Sequence, residues 1–399
     1  MRSERLRTLY LEANGSGSQI IWVDTLLRGV LRYGDGAQPP QWLRRSQRAR
    51  LMFAELRDVH AKLSYIADWR SAFLASNRLA VDVCNINNLV SYGARLLKLA
   101  NYDLIVVSHA AAGDDLTVLT KSAGWFDRRR APLAVFLGNE YDLLDEKIEF
   151  IRQTGAEYVC TQLPSAAANY LYGTRTNARI VEMPHALNPL VYRETADSTR
   201  DVDIGFIGDI YWPFVGDRER TDLIEHVEKK AESWGMRIDI RRQRVDSSDW
   251  NRFLNRCHGI VGAESGTYYL NEAGKLLDRA RTYNLKEAPT ASFEDVFEKF
   301  YRGVPREISG KSVSSRHFEP IGAKSCQILL EGEYNGILRA NEHYIAVKRD
   351  LSDIEEAIGR FRDEGFRKKV VDQAFDYVMS EHTYAHRVAR FLRVLEAGR

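Results

Sequence analysis

The feature that most limits what this chain can fold into is an alternation. Short runs rich in β-branched and aromatic residues, LRTLYL (6–11), LAVDV (79–83), YDLIVVS (102–108), APLAVFL (131–137), AEYVCT (156–161) and ARIVEM (178–183), are separated by stretches with helical patterns. Apolar strands alternating with helices predict a parallel sheet with crossover helices. MPHALNPLVYRETADSTRDVD (183–203) then gathers Pro, Asn, Asp, Ser and Thr and reads as a linker. A second series follows, VDIGFIGD (202–209), MRIDIR (236–241), GIVGAE (259–264), CQILLE (326–331) and HYIAVK (343–348), and from LSDIEEAIGRF onward the pattern is helical. With 399 residues there is chain enough for two cores. The reading is two successive doubly wound α/β domains joined by a short linker, facing each other across a cleft.

Composition narrows the function classes. A hydrophobic fraction of 44% with 28% charged residues suits a soluble globular protein, and no apolar run approaches the length of about 18 that a membrane span needs. The N-terminus, MRSERLRTLYLEANGSG, is basic but lacks the apolar core of a signal peptide, so secretion is not expected. Cys84, Cys160, Cys257 and Cys326 lie far apart with no C-x-x-C pair, as in reduced structural thiols of a cytoplasmic protein. A net charge of +2 argues against a dedicated nucleic-acid binder. Local runs remain at RRSQRAR (44–50), DRRR (127–130) and RRQR (241–244). They are either solvated faces or docking points for anionic lipid, at the inner membrane face, or for an acidic acceptor. Residues 39–76 carry apolar side chains at helical spacing with many arginines between them, which predicts one or two amphipathic helices.

In open α/β sheets ligands bind outside the carboxyl ends of the strands, so the residues just after each strand are the candidates. The Gly/Ser loop EANGSGSQ, with Gly15 and Ser16, follows the first strand and could admit a phosphate or sugar to backbone N–H groups; a plain strand-to-helix turn explains it equally. It matches neither the P-loop nor the full G-x-G-x-x-G pattern. Gly208 and Asp209 open a similar turn after VDIGFIGD, where the glycines either admit a ligand or allow tight packing. His109 follows YDLIVVS and could bond a substrate hydroxyl or shuttle a proton, or be bonded to backbone. Asn139, Glu140 and His185 occupy equivalent strand ends. Glu264 ends a hydrophobic strand and is followed by Ser and Gly, which places a carboxylate over the expected cleft. Its spacing of eight to Glu272 is treated as coincidence.

The densest cluster is KSVSSRHFEPIGAKSCQILLEG (311–332). A helix beginning near Ser315, with Ser314 or Ser315 as its cap, would aim free N–H groups and the positive dipole end at a phosphate. Arg316 and Lys311 would add charge for a diphosphate, and Glu319, one turn on, would reach hydroxyls beside it, as acidic residues do with ribose. The alternative is a simple capped helix with a surface Arg–Glu pair.

These residues resemble a known family. SSRHFEPIGAKSCQILLEG, then HYIAVKRDLSDIEEAI, then SEHTYAHRVARFL are similar to the C-terminal domain of the CgeB-type (spore-maturation) glycosyltransferase-like family, over residues 311–395. Pro320 stands where that family commonly has alanine, and Lys324 and Ser325 where it often has small residues and glycine. The resemblance implies the GT-B fold, two Rossmann-like domains with a nucleotide-sugar donor bound mainly by the second and an acceptor mainly by the first, and no required metal. It implies residues 1–190 as the acceptor-side domain, with Gly15, Ser16, Asn139, Glu140 and His185 as its candidates. It implies 191–380 as the donor domain and 381–399 as a helix packing back on the first. Glu319 would bind the ribose, with Lys311, Ser314, Ser315, Arg316, Gly208 and Asp209 around the diphosphate. The implied reaction is transfer of a sugar to a hydroxyl acceptor (a glycan, glycolipid or metabolite) with His109 or Glu264 as base and no cofactor beyond the donor. A nucleotide-sugar epimerase or hydrolase of the same fold, and a non-catalytic nucleotide-sugar-binding protein, are the alternatives.

Overall fold

The computed structural model describes residues 5–13, 63–140, 142–196, 198–306 and 308–398. Gly15, Ser16, the basic run 44–50 and most of the segment 39–76 lie outside these. The chain divides into two compact units, Met1–Thr161 with Leu171–Glu182, and Gln162–Tyr170 with Met183–Arg399.

The first unit contains β1 (Leu6–Glu12), α1 (Ser64–Ala75), β2 (Leu79–Asn85), α2 (Leu89–Leu96), β3 (Leu104–Val107), α3 (Thr117–Ser122), β4 (Leu133–Phe136), α4 (Leu144–Thr154), β5 (Tyr158–Thr161) and β6 (Arg179–Glu182). All strand pairs are parallel, in the order β2-β1-β3-β4-β5-β6. Leu104, Ile105, Val106 and Val107 are all fully buried, as expected for a strand covered on both faces. Helix α4 shows why sequence and element agree. Asp145 and Glu146 sit in its first turn and Gly155 closes it in a left-handed conformation at φ 58°.

The second unit begins with the short α5 (Ser165–Ala168). It continues with β7 (Val202–Ile207), α6 (Glu219–Trp234), β8 (Ile238–Arg241), α7 (Ser247–Arg256) and β9 (Cys257–Gly262). After these come α8 (Lys275–Thr282), α9 (Phe293–Phe300), α10 (Ser315–Gly322), β10 (Cys326–Leu330) and β11 (Ile345–Val347). The chain closes with α11 (Ile354–Arg362), α12 (Glu364–Glu381) and α13 (Tyr384–Ala397). Its sheet, again wholly parallel, runs β11-β10-β9-β7-β8. Alternate residues sort to its two faces: Ile204, Phe206, Val261, Ile328 and Leu330 pack with α6 and α11, while Ile207, Ile260 and Leu329 pack with Trp250, Phe253 and Phe318. Gly205 serves this packing, since a Cβ there would lie 2.5 Å from Cys257 Sγ.

In each sheet the first strand lies between the second and third. The winding therefore reverses between β1 and β3, and again between β7 and β9, and at such switch points the strand ends splay to leave a crevice. Every strand expected from the sequence is present, and each expected run contains or overlaps its strand by all but a residue or two. A lobe is inserted after β9. Its neck is a two-stranded contact, Ser265 N–H to Ser312 O at 3.0 Å and Ser312 N–H to Ser265 O at 2.9 Å. The lobe holds α8 and α9 around its own aromatic core of Tyr268, Tyr269, Leu276, Val296 and Tyr301. That neck delivers the chain to the start of α10 beside the end of β9.

Candidate functional site

The second switch point gathers the charged residues. Asp209, two residues past β7, accepts from Arg244 Nε through Oδ2 at 2.6 Å, and its carbonyl accepts from Arg220 Nη2 at 2.7 Å. Arg220 lies flat over the Tyr211 ring, 3.7 Å from its centre. Arg316, in the first turn of α10, stacks on Trp250 at 4.3 Å and approaches Glu319 Oε2 with Nε at 3.8 Å. Glu319 is 1% exposed and accepts from Trp250 Nε1 at 2.7 Å. Three arginines thus converge where Asp209 and Glu319 supply two carboxylates, and Nη1 of Arg316 and Nε of Arg220 are buried without a hydrogen-bond partner. Burial pushes the Arg316 guanidinium down, with Glu319 only partly opposing it. Arg242 and Arg256, hydrogen-bonded to the carboxylates of Glu228 and Asp201, are pushed up. Arg316 is therefore a cation short of negative charge.

Ser314 is the N-cap residue of α10, and Ser315, its first residue, is buried. The Ser314 N–H donates to His317 Nδ1 at 2.9 Å, which leaves the proton on Nε2, donated to the Ala263 carbonyl at 3.0 Å. Burial lowers His317 to about 4, so this neutral tautomer persists at neutral pH and pins the helix start to the end of β9. Pro320 lacks the N–H that would have returned to the Arg316 carbonyl. Lys324 adopts φ 54°, the left-handed conformation that favours glycine, and Ser325 Oγ donates to Leu254 O at 2.7 Å.

Other expected residues do different work. Lys311 forms a buried ion pair with Asp217 between the rings of Tyr268 and Tyr211, so its charge is already met internally. Glu264 is buried, and its Oε1 accepts the Tyr334 N–H at 2.6 Å, which makes it a brace for the turn after β10. Burial raises its carboxyl above the usual range. Gly332 allows this brace, because a Cβ there would stand 2.3 Å from Glu264 Oε2. Gly208 and the exposed Trp212, stacked on Phe214 at 6.4 Å, flank Asp209.

The first switch point holds His109, just past β3, stacked on Trp69 at 5.2 Å with Phe136 at 5.5 Å. Burial alone lowers it to about 3, so it is neutral at neutral pH and suited to hydrogen bonding more than to proton shuttling. Asn139 takes φ 43° and donates Nδ2–H to Asp114 Oδ1 at 2.7 Å. Glu140 accepts from Thr161 Oγ1 at 2.6 Å and Tyr172 OH at 2.7 Å, an internal brace. Lys147, fully buried, donates to the carbonyls of Gly138, Asn139 and Asp142 at 2.7–2.8 Å and holds this loop. Gly15 and Ser16, the candidates after the first strand, lie outside the described residues. His185 belongs to the second unit, buried, where its carbonyl accepts from Arg387 Nη2 at 3.4 Å.

The two parallel Rossmann-like sheets of this chain have one strand order, and solved proteins are similar to it in fold. An α-glucosyltransferase solved with UDP and a 13-mer DNA matches at TM-score 0.55 with 8% identity, over 98% of this chain and 100% of that one. The fold is GT-B. A sucrose-phosphate synthase from Thermosynechococcus elongatus (TM-score 0.48, 11% identity, 99% and 100% covered) is also similar. So is Anabaena HepE solved with UDP-glucose (TM-score 0.48, 10% identity, 98% and 100% covered). Residues 218–393, most of the second GT-B domain, match the glycosyl transferase-like family. No curated protein sequence matches the chain. Within this GT-B frame the sequence pointed to Arg316, Glu319 and Asp209, and missed Arg220, Trp250 and the place of Arg244 in the cluster. Arg244 had been visible only as part of a basic run, and its partner Asp209 lies 35 positions away.

Proposed function

We propose that the chain is a glycosyltransferase whose second domain binds a nucleoside-diphosphate sugar at the Asp209–Arg316 cluster. The observation that carries this reading is the convergence at the N-terminus of α10 of Arg244, paired with Asp209, with Arg220 and Arg316, each of which has a buried guanidinium nitrogen without a hydrogen-bond partner. A diphosphate supplies the missing negative charge and accepts from planar guanidinium donors, with the helix dipole adding to the attraction. The family match over 218–393 and the α-glucosyltransferase of the same fold solved with UDP support the same ligand class. Glu319 would meet the ribose hydroxyls, its carboxylate already oriented by Trp250.

In the reaction the bond from the sugar's anomeric carbon to the diphosphate oxygen breaks, an acceptor hydroxyl oxygen bonds that carbon, and the hydroxyl proton leaves to a base. Charge grows on the departing diphosphate, and fixed arginines aimed at it lower the barrier. The charge is met by arginines, so the proposal is metal-independent. The test is thermal unfolding with UDP, GDP, TDP and CDP, with and without EDTA. One of them should raise the melting temperature equally in both conditions, and the rise should vanish in Arg316→Gln. No shift with any nucleotide would overturn the reading.

A further inference from the structure

The basic run 241–244 is largely consumed by carboxylates: Arg241 pairs with Asp239 at 2.6 Å, Arg242 with Glu228 at 2.5 Å and Arg244 with Asp209 at 2.6 Å. The run 127–130 differs. Arg129 turns inward to the Gly155 carbonyl at 2.8 Å and Glu157 at 3.2 Å, whereas the exposed Arg128 and Arg130 form no ion pair with a described residue.

Lys121, Trp125 and Arg128 follow one another at i, i+4 and i+7 across the end of α3 and the 3₁₀ turn Ala123–Arg128, and Arg128 lies 4.4 Å from the centre of the Trp125 ring. The other side of the segment is core. Leu119, Ser122, Ala123 and Phe126 are buried, and Phe126 meets Phe150 edge-on at 5.8 Å. Trp125, 39% exposed, is thus presented outward by a backbone that cannot turn it in. Tyr92 OH and Ser122 Oγ, 2.7 Å apart, tie α2 to α3, and the 3₁₀ turn Leu99–Asn101 packs on the turn 123–128. Leu97, 66% exposed, and the exposed Lys98 lead directly into the turn Leu99–Asn101.

We infer that this face of the first domain docks on an anionic lipid bilayer. Lys121, Arg128 and Arg130 set three positive charges against the exposed Asp127, and Lys98 adds to them while it shares Asp82 with Arg95 at 3.2 Å and Tyr102 at 2.6 Å. The whole chain carries only +2, so attraction to an anionic surface has to come from a local concentration of charge such as this patch. An acidic peptide or polymer would use the cations alone. The outward indole and leucine between them fit the headgroup boundary, where Trp sits with its ring in the apolar edge and its N–H in water. The inference stands on these residues and is independent of the proposed reaction.

The experiment is sedimentation of the full chain with phosphatidylcholine vesicles, with and without phosphatidylglycerol. Binding should require the anionic lipid and weaken with salt. At about 1 kcal/mol per cation, Arg128→Gln with Arg130→Gln should lower the partition coefficient roughly 30-fold. Brominated lipid should quench tryptophan fluorescence in the wild type and lose most of that quenching in Trp125→Phe. Circular dichroism identical across the variants separates lost docking from lost folding. Equal binding to neutral vesicles, unchanged partition of the double variant, or quenching that survives Trp125→Phe would each overturn the inference.

Discussion

Glu264 shows how a buried carboxylate at a strand end is claimed by backbone. Its Oε1 takes the Tyr334 N–H at 2.6 Å, and the space beside Oε2 exists only because residue 332 is glycine. Gly332→Ala should therefore cost about 1–3 kcal/mol, the usual range for overpacking a site that cannot yield. In a Glu264→Ala background most of that cost should disappear, and a double-mutant cycle by urea unfolding measures the coupling. A purely additive cycle would mean that the carboxylate moves aside. Glu319 depends on Trp250 in the same way. Trp250→Phe keeps an aromatic surface but deletes the indole donor at 2.7 Å, and should destabilise the domain by roughly 1.5–3 kcal/mol, as for a hydrogen bond to a charged group. The sequence marked Glu264, Glu319 and Glu140 as polar groups at the ends of strands or helices. It could not say what they bond, because Tyr334 is 70 positions from Glu264 and Trp250 is 69 from Glu319. Only the folded sheet sets those distances.

At the scale of elements, the strands were legible because a buried parallel strand must be apolar along its whole length, as β3 and β4 are. The lobe between β9 and α10 was not, since its aromatic core of Tyr268, Tyr269 and Tyr301 closes through a neck that pairs Ser265 with Ser312. Helix α10 was legible as a capped start, but its clasp is His317, which is neutral and donates to Ala263. This gives the helix a pH dependence whose sign follows from burial. The folded-state pKa, about 4, lies below the ordinary 6.5, so the stabilisation is complete above pH 6.5 and is lost as pH falls toward 4. At pH 5 His317 alone should remove about 2 kcal/mol relative to neutral pH. His382, buried against Tyr377 and lowered to about 3, adds a loss of the same sign. Urea unfolding between pH 7 and 5 should show the slope of stability against pH fall in His317→Asn by an amount that approaches about one proton near pH 5. An unchanged slope would mean that the ring titrates alike in the folded and the unfolded chain.

For the whole molecule, each unit has its own sheet and its own switch point, and the arginine cluster is built entirely from residues of the second, between Asp209 and Glu319. A ligand that binds only folded protein stabilises the cooperative unit that contains its site. If the two units unfold as separate transitions, a nucleoside diphosphate should raise only one of them, by about 2.7 kcal/mol at a hundredfold excess over Kd. Differential scanning calorimetry of the full chain reads this directly, and tryptophan substitutions assign the transitions: Trp69→Phe should lower the one that does not respond, Trp250→Phe the one that does. Both residues are 1–2% exposed in their cores, so each substitution reports on its own unit. A single transition that shifts as a whole would show that the two units fold as one cooperative body, with nucleotide binding stabilising the first unit's sheet as well. Two transitions that both rise would place part of the nucleotide site in the first unit. The arginine cluster would then be only half of it.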